Sequence, residues 1–501
     1  MRARIATLGA IALVMAIPFP ASAQPICQQV PVVNDRCPTW VATYDVPDTN
    51  GNHQFDEAVD VAVDPSGSRV FVVGGSTAGG PGADVLALAP ASGQTLWRTT
   101  IPQASDGVGY RTQLALAPDG SALFLVTTAD TDILVTALDP DSGHVRWART
   151  YDGPEGGADV ARDVAVSPDS SQLYVTGSTD ANGGDLLLIG LSTSDGRLLR
   201  NLEYGSPYNP LRGWDTGYAV AVSPDGGRVY VAGRSEGASN LQGTNFDLIT
   251  LALDVPRAHD GPHGTVSSPA WTWVRRFTAV RNAGVSGRVG IAVSEDGSHV
   301  VTSGEGFNNF WTVGYAAPGG TQQWSTELSG TPLSQGWVST ADESLVRVDR
   351  GRVFVAITKA LDPGPLLASY DLATGDELWT ARYPAGPPLG SADMVVSPDG
   401  RTVYTLASAL DAGYGASLAA FDAGSGSQLW VGRLNSATDR IFGYALAISP
   451  SGHALFAAGS IETPEVEGQD LKWTSDLLTW SVATCQCSSS DSHPRPDLLA
   501  P

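Results

Sequence analysis

The chain has 501 residues and a net charge of −23, and 42% of its residues are hydrophobic while 16% are charged. This hydrophobic content excludes a disordered chain, and 57 Gly and 33 Pro without a three-residue period exclude collagen. The excess of 52 acidic over 29 basic residues argues against nucleic acid and anionic membrane surfaces as partners, because both are bound by neutralising phosphates. We expect a globular chain built from two or three domains or from one repeat array.

The chain begins with a segment that has the form of a signal peptide. Two arginines precede a short apolar run, and residues 21–23 read Ala-Ser-Ala, a typical cleavage site. The run is too short to span a bilayer, so no membrane insertion is expected. We expect cleavage after Ala23 and an exported protein, secreted or periplasmic, with one domain at 24–487 and a disordered tail at 488–501.

The segment 48–57 resembles a calcium loop. It carries oxygen side chains at alternate positions, namely Asp48, Asn50, Asn52 and Asp56. It departs from the EF-hand pattern, because Gly51 takes the fourth place rather than the sixth and Val59 takes the place of the twelfth-position Glu. Calcium is the one cofactor that the sequence suggests, and an ordinary Asn/Gly turn is the alternative.

A β-hairpin pattern occurs eight times along the rest of the chain. Each copy is an apolar strand, a turn with Pro, Asp or Gly, and a second strand, as in VAVSPDGGRVYVAG at 220–233. Pro fixes φ and Gly supplies a positive φ, which together favour a tight turn. A third strand and a Trp-containing fourth strand follow, as in LASYDLATGDELWTARY at 367–383. Eight units of four strands predict an all-β, eight-bladed β-propeller.

The fourth strand carries a tryptophan in almost every unit. The seven positions are Trp40, Trp97, Trp147, Trp273, Trp324, Trp379 and Trp430. In the third unit, we expect Leu199 at this position. The eighth unit lacks a tryptophan strand, whereas the segment 37–46 ahead of the first unit supplies one. We therefore expect this N-terminal strand to complete the last blade and close the ring, which removes exposed sheet edges.

Ring closure would bring the two ends of the chain together. The four cysteines lie near these ends, at Cys27, Cys37, Cys485 and Cys487. An oxidising compartment favours disulfides, so a bridge between an N-terminal and a C-terminal cysteine is expected. A local pair of Cys27 with Cys37 is the alternative.

The sequence Asp-Leu-Ala-Thr-Gly-Asp-Glu-Leu-Trp at 371–379 resembles the tryptophan-docking motif of the quinoprotein-dehydrogenase-like, or PQQ-like, β-propeller family. The resemblance covers 37–487 and implies that the seven tryptophans pack between neighbouring blades. In active members it implies a quinone on a Trp floor in the central channel, beside calcium held by Glu, Asn and Asp, with an Asp base. No such set matches residue by residue here, so PQQ is not expected. Other members, such as the outer-membrane assembly lipoprotein, bind protein partners.

Polar residues recur at one position just ahead of the first strand motif. They are Asp60, Asp163 and Asp393, with Gln113 in the second unit. On the innermost strand they would lie near the mouth of the central channel. A ring of carboxylates could bind a cation, and the alternative is that each one bonds the backbone of the neighbouring blade.

The loops on one face of the predicted propeller are long and varied, whereas those on the other face are short and uniform. Four tryptophans outside the docking motif lie in or near the long loops, namely Trp214, Trp311, Trp337 and Trp473. Loops on a rigid scaffold commonly carry function, and aromatic side chains there could form a recognition patch. The alternative is that these side chains pack the loops down.

The sequence thus predicts an exported, monomeric, non-catalytic propeller that binds a protein or a glycan on its long-loop face. A quinone- and calcium-dependent oxidoreductase that uses the central channel is the alternative. A purely structural envelope module is the third.

Overall fold

The computed structural model describes most of the chain between residues 38 and 484. The described ranges are 38–44, 56–76, 82–102, 112–129, 131–153, 156–179, 184–207, 215–237, 246–255, 270–278, 289–305, 309–329, 344–357, 366–382, 388–409, 415–434, 436, 439–467 and 470–484. Within them, the strands form eight four-stranded antiparallel sheets and there is no helix. The predicted all-β, eight-bladed propeller is therefore confirmed.

Each blade is a meander of four strands. Blade 1 consists of β2 Asp56–Val63, β3 Val70–Ser76, β4 Ala83–Leu88 and β5 Thr95–Ile101, and blade 2 consists of β6 Gln113–Leu116, β7 Leu123–Ala129, β8 Asp132–Leu138 and β9 Val145–Tyr151. Blade 3 consists of β10 Asp159–Val166, β11 Gln172–Thr179, β12 Asp185–Ser192 and β13 Leu198–Tyr204, and blade 4 consists of β14 Thr216–Val222, β15 Arg228–Glu236, β16 Phe246–Asp254 and β17 Trp273–Phe277. Blade 5 consists of β18 Val289–Val293, β19 His299–Glu305, β20 Asn309–Ala316 and β21 Thr321–Ser329, and blade 6 consists of β22 Ser344–Asp349, β23 Arg352–Ile357, β24 Leu366–Asp371 and β25 Glu377–Arg382. Blade 7 consists of β26 Pro388–Val396, β27 Thr402–Ala409, β28 Gly415–Asp422 and β29 Gln428–Leu434, and blade 8 consists of β30 Arg440–Ile448, β31 Ala454–Glu467, β32 Asp470–Ala483 and β1 Trp40–Tyr44.

The N-terminal strand closes the ring. β1 pairs with β32 as the outer strand of blade 8, in a register that runs from Trp40 opposite Ser481 to Tyr44 opposite Leu477. The Thr39 amide also donates to the Ser481 carbonyl at 2.7 Å. The predicted closure is confirmed.

The hairpin turns between the first and second strands follow from their residues. In blade 4, the Gly226 amide donates to the Ser223 carbonyl at 2.8 Å, and Gly226 has φ +69°, a value that favours glycine. The Ser223 hydroxyl donates to the Asp225 carboxylate at 2.7 Å and accepts from the Arg228 amide at 2.9 Å. A Ser-Pro-Asp-Gly sequence therefore satisfies the turn locally.

The docking tryptophans join neighbouring blades by a contact that recurs around the ring. In blade 2, the Trp147 indole N–H donates to the Thr193 carbonyl of blade 3 at 2.9 Å. Its ring lies on Gly196, where an added Cβ would stand 2.6 Å from the indole and φ is +69°. The same N–H bond to the next blade is made by Trp40, Trp97, Trp273, Trp324 and Trp379. The docking glycine is thus required both by its φ and by the close approach of the ring.

Blade 3 departs from this pattern, and the expectation for Leu199 was wrong. The strand register places Arg200, not Leu199, opposite Gly190, in the place that Trp147 holds opposite Ala137. Arg200 and Trp147 each follow the turn glycine, Gly196 or Gly143, by four residues, and the same β-bulge is present in both blades. Trp271, which lies just before β17 of blade 4, contributes instead to the seam between blades 3 and 4. Its indole N–H donates to the Glu203 carbonyl at 3.2 Å.

The hydrophobic core lies between blades rather than at one centre. One cluster joins Phe124 and Trp147 of blade 2 to Val175 and Leu187 of blade 3. The Phe124 and Trp147 ring centroids lie 5.9 Å apart with the rings tilted by 42°. Each blade therefore buries both of its faces only when two neighbours are present.

We predict that Trp379→Ala lowers the free energy of unfolding by about 3 to 5 kcal/mol, the usual cost of removing a buried aromatic side chain. Trp379 is 8% exposed and donates to the Ala423 carbonyl at 3.0 Å. The matched control is Leu378→Ala, one residue earlier and 45% exposed, which should cost no more than about 0.5 kcal/mol. Urea unfolding measures both. Equal losses would contradict the role given to the docking contact.

Candidate functional site

The eight first strands surround one central cavity of about 250 Å³. Residues from all eight blades line it, so it is the central channel of the propeller. The predicted channel residues Asp60, Gln113, Asp163 and Asp393 all belong to this lining. The structure therefore brings the four together.

Bulges in the first strands aim additional side chains at the channel. The register shifts between Ala161 and Asp163, which leaves Arg162 as the extra residue. The same shift in three other blades leaves Val59, Tyr218 and Tyr444, and all four bulge residues line the cavity. A bulge re-aims a side chain in this way because it breaks the strict alternation of the strand. The sequence did not reveal these residues, since the two-residue period predicts that they face the neighbouring blade.

The three channel aspartates tie neighbouring blades together. Asp60 accepts hydrogen bonds from the Val61 amide at 2.7 Å and from the Leu114 amide of blade 2 at 2.8 Å. Asp163 bonds the Val164 amide and the Val220 amide of blade 4 at 2.8 and 2.7 Å.

Asp393 repeats this arrangement in blade 7. It accepts from the Met394 amide at 2.7 Å and from the Leu446 amide of blade 8 at 2.8 Å. In all three residues, one carboxylate oxygen serves its own strand and the other serves the next blade. Of the two roles that the sequence left open, the structure shows the bond to the neighbouring backbone.

Burial sets the electrostatics of this ring. Burial raises the pKa of Asp60 to about 7, against the lowering effect of its two backbone hydrogen bonds and with help from the charges of Asp393 and Asp163. Burial also raises the pKa of Asp393, whose Oδ1 lies 3.8 Å from Nη2 of Arg347. The Arg347 charge opposes the rise. The channel therefore holds one carboxyl group, that of Asp60, whose pKa lies near neutral pH, and a second, that of Asp393, whose pKa is raised.

The ring is polar on one side only. The position of Asp60 is occupied by Gln113 in blade 2, and small or apolar residues take it elsewhere, namely Ala219, Gly290, Leu345 and Ala445. The carboxylates thus belong to blades 1, 3 and 7. They do not form a continuous ring of cation ligands.

Arginine and aromatic side chains stack at the long-loop end of the channel. The Arg162 guanidinium lies 5.3 Å from the centroid of the Tyr218 ring. The guanidinium of Arg234, on blade 4, lies 5.6 Å from the same centroid. Arg234 also lies 4.7 Å from the Phe246 ring centroid. We call these four residues the Arg–Tyr column. Each such contact is a cation–π interaction, and the column places two positive charges on a strongly acidic protein.

The other predicted site residues are placed as follows. Trp311 lies half-buried on β20 and packs on Phe277 of blade 4, with ring centroids 5.1 Å apart. Trp473 lies on β32 opposite Pro464 and Asp56 begins β2, but their side chains are not described. Outside the described residues lie Trp214, Trp337, Asp48, Asn50, Asn52, Cys27, Cys37, Cys485 and Cys487.

An aspartate at the start of the third strand is a recurring feature that the sequence analysis missed. In blade 1, Asp84 accepts from Arg98 Nη2 at 2.7 Å and from the Thr100 hydroxyl at 2.5 Å. Four other blades also carry an aspartate ahead of the apolar run of the third strand, two residues earlier in the strand register than Asp84, namely Asp132, Asp185, Asp247 and Asp476. The signal was available, because an Asp directly precedes the apolar third strand in five units.

We predict that Asp60→Asn changes how stability depends on pH. Unfolded Asp loses its proton near pH 4 and folded Asp60 loses it near pH 7, so wild-type stability from this group falls as the pH rises between them. The variant lacks this loss. Its free energy of unfolding should therefore rise relative to that of the wild type by about 1 kcal/mol per pH unit between pH 5 and 7. Denaturant unfolding across this range measures it.

Asp119→Asn is the control for the pH experiment. Hydrogen bonds from Ser121 lower the pKa of Asp119. The contribution of Asp119 to the free energy of unfolding is therefore complete above about pH 4 and is lost only as the pH falls further. The difference between this variant and the wild type should stay constant between pH 5 and 7. A constant difference for Asp60→Asn would contradict the raised pKa.

Comparison with known folds agrees with the propeller. Quinohemoprotein alcohol dehydrogenase from Comamonas testosteroni is 11% identical, with a TM-score of 0.53 over 90% of this chain and 77% of its own. Europium-containing methanol dehydrogenase is 12% identical, with a TM-score of 0.53 over 89% of this chain and 96% of its own. The Dos1 propeller is 12% identical, with a TM-score of 0.50 over 86% and 94%. At these identities the likeness shows the fold alone.

A family comparison covers more than half of the chain. The family described as outer membrane protein assembly factor BamB matches residues 39–268 and 308–461. None of the curated proteins matches the chain by sequence. The described residues include no helix with the length and hydropathy needed to span a bilayer. The chain therefore belongs to the outer membrane protein assembly factor BamB family, on an eight-bladed β-propeller fold that resembles that of quinoprotein dehydrogenases.

Proposed function

We propose that this protein is an exported, non-catalytic binding propeller that holds a protein or glycan ligand on its long-loop face. The observation that carries the proposal is that the channel carboxylates already accept hydrogen bonds from the backbone. Both oxygens of Asp60, Asp163 and Asp393 already accept backbone N–H groups, one from their own strand and one from the next blade. These carboxylates serve to join blades, which leaves them poorly arranged as ligands for a shared cation.

The size of the channel supports the same function. Its cavity of about 250 Å³ is smaller than the roughly 300 to 1,000 Å³ of typical small-molecule sites. The described lining contains tyrosines, aliphatic residues and two arginines, but no tryptophan. A quinone with its substrate would need more volume and a flat aromatic floor.

The Arg–Tyr column is the feature of the long-loop face that best suits ligand binding. Arg and Tyr are enriched among the residues that contribute most to binding at protein interfaces. Arg234 and Phe246 extend the column away from the channel along blade 4. The two guanidinium groups favour a ligand with carboxylate or phosphate groups, since the rest of the protein is acidic. Membership in a family described as an assembly factor also supports a partner-binding role.

A quinone-dependent oxidoreductase is the second candidate. It is favoured by Asp60, because a carboxyl group with a pKa of about 7 has the value that a general base needs at neutral pH. In this alternative, Asp60 would be the base and the channel would hold the cofactor.

A quinone titration separates the two candidates. We expect pyrroloquinoline quinone, added with calcium, to cause no saturable rise in the Tm of the mature protein and no alcohol-dependent reduction of an electron-accepting dye. A ligand that binds only the folded state must raise Tm. A saturable rise of several degrees together with alcohol-dependent reduction of the dye, both lost in Asp60→Asn, would establish the oxidoreductase instead.

The binding site is tested by a variant of the Arg–Tyr column. Ligands captured by crosslinking from the host's envelope proteins and glycans, and quantified by mass spectrometry, should fall roughly tenfold or more in the Tyr218→Ala/Arg234→Ala variant. Arg197→Ala, an exposed arginine on the short-turn face, is the control and should capture as the wild type does. Far-UV circular dichroism verifies folding. Unchanged capture by the folded column variant would remove the proposed site.

A further inference from the structure

A cluster of carboxylates lies at the long-loop end of the seam between blades 2 and 3, away from the residues that line the channel. Asp132 begins β8, Asp152 follows β9, and Asp159 begins β10. One oxygen of each lies within 4.8 Å of the others. Ligand oxygens around one calcium ion, at 2.3 to 2.6 Å from it, lie up to about 5 Å apart, so the three can share one ion.

Asp159 is buried with an unsatisfied oxygen in this cluster. The residue is 0% exposed, and one oxygen accepts from the Gly153 amide at 2.5 Å. Its Oδ1 is buried and has no hydrogen-bond partner among the described residues, although the Thr179 hydroxyl lies beside the carboxylate. Burial, with the charges of Asp132 and Asp152, raises the pKa of Asp159 against the lowering effect of hydrogen bonding by Gly153 and Thr179. A buried carboxylate among like charges needs a positive partner.

The next seam, between blades 3 and 4, shows the same construction with its charges satisfied. Asp215 takes the place of Asp159 and accepts from the Ser206 amide at 2.5 Å, as Asp159 does from Gly153. Its other oxygen accepts from the Glu236 amide at 3.0 Å. Gly205 stands in the place of Asp152, so this seam carries one carboxylate fewer.

A guanidinium group supplies the positive charge at that seam. Arg276 on β17 donates to Asp247 Oδ2 at 2.7 Å, to the Tyr204 hydroxyl at 3.3 Å and to the Ser206 hydroxyl at 3.2 Å. Its charge also lowers the pKa of Asp215 against the larger effect of burial. The side chain therefore binds residues of both blades across the seam.

The seam between blades 2 and 3 has an acid where Arg276 stands. Arg276 pairs with Ile249 on β16, and the equivalent pairing in blade 3 is Glu203 with Leu187. Glu203 therefore adds a negative charge at the position where the next seam has a positive one. Among the described residues, no arginine or lysine forms an ion pair with these carboxylates.

We propose that a calcium ion binds Asp132, Asp152 and Asp159 and joins blades 2 and 3, in the role that Arg276 plays between blades 3 and 4. Carboxylate oxygens are the ligands that calcium prefers, and the ion would fill the partner position of Asp159 Oδ1. The ion would therefore stabilise the folded ring.

The test compares the Tm of the mature protein in EDTA and in calcium chloride. We expect calcium to raise the wild-type Tm by roughly 3 °C or more, saturably, and magnesium to do so less. The rise should be lost in Asp132→Asn/Asp152→Asn, which keeps the Asp159 bond to Gly153. The control Asp141→Asn/Asp376→Asn removes the same charge at exposed positions and should retain the rise.

A second variant tests the equivalence of the two seams. Glu203→Arg should raise Tm in EDTA and abolish the response to calcium, because its guanidinium would occupy the position that Arg276 holds. The proposal is overturned if calcium does not shift the wild type, or if Asp132→Asn/Asp152→Asn responds as the wild type does. The second outcome would assign the calcium to another segment, such as 48–57. A rise that is lost equally in the control variant also overturns it, since the effect would then be one of net charge.

Discussion

The architecture depends on one contact repeated around the ring, the docking of an indole from one blade onto the glycine turn of the next. A buried indole N–H must find an acceptor, and here it is the carbonyl three residues before the glycine, as with Leu372 and Gly375 for Trp324. The ring can approach that turn only because glycine has no Cβ. The contact therefore fixes both the distance and the angle between blades, and the flat apolar faces of the sheets fill the space that remains.

The sequence was sufficient to predict the ring because the docking contact requires particular residues at fixed spacing. The Thr-Gly turn and the Trp of 371–379 are both parts of one contact, so their recurrence reports the geometry directly. The arrangement at blade 3 escaped prediction because no tryptophan marks the docking position there, which Arg200 holds. The four polar channel residues were predicted, but the other residues of the channel lining were not. Bulges aim Arg162 and Tyr218 inward against the alternation that the sequence shows.

Many aspartates of the described residues lie in turns rather than in a ligand site. In the turn between β8 and β9, Arg146 and the Ser142 hydroxyl hold the pKa of Asp139 at about 2. Similar bonds from serine hydroxyls and amides lower the pKa of Asp169 and Asp399 in the hairpin turns. These carboxylates are satisfied where they stand. A carboxylate without such partners is therefore informative, and this contrast separates Asp159 from the many aspartates around it.

The pairing of β1 with β32 also governs the order in which the molecule can be completed. The Thr39 hydroxyl bonds the Ser481 carbonyl across a sequence separation of 442 residues. During synthesis, the strand that emerges first must wait unpaired until nearly the whole chain has been made, and its loop must close at a high cost in chain entropy. Blade 8 is then the last to form and, in a partly unfolded molecule, the first place where a free sheet edge is exposed. The pairing of the five-residue strand β1 with β32 is thus the place where the ring would open first.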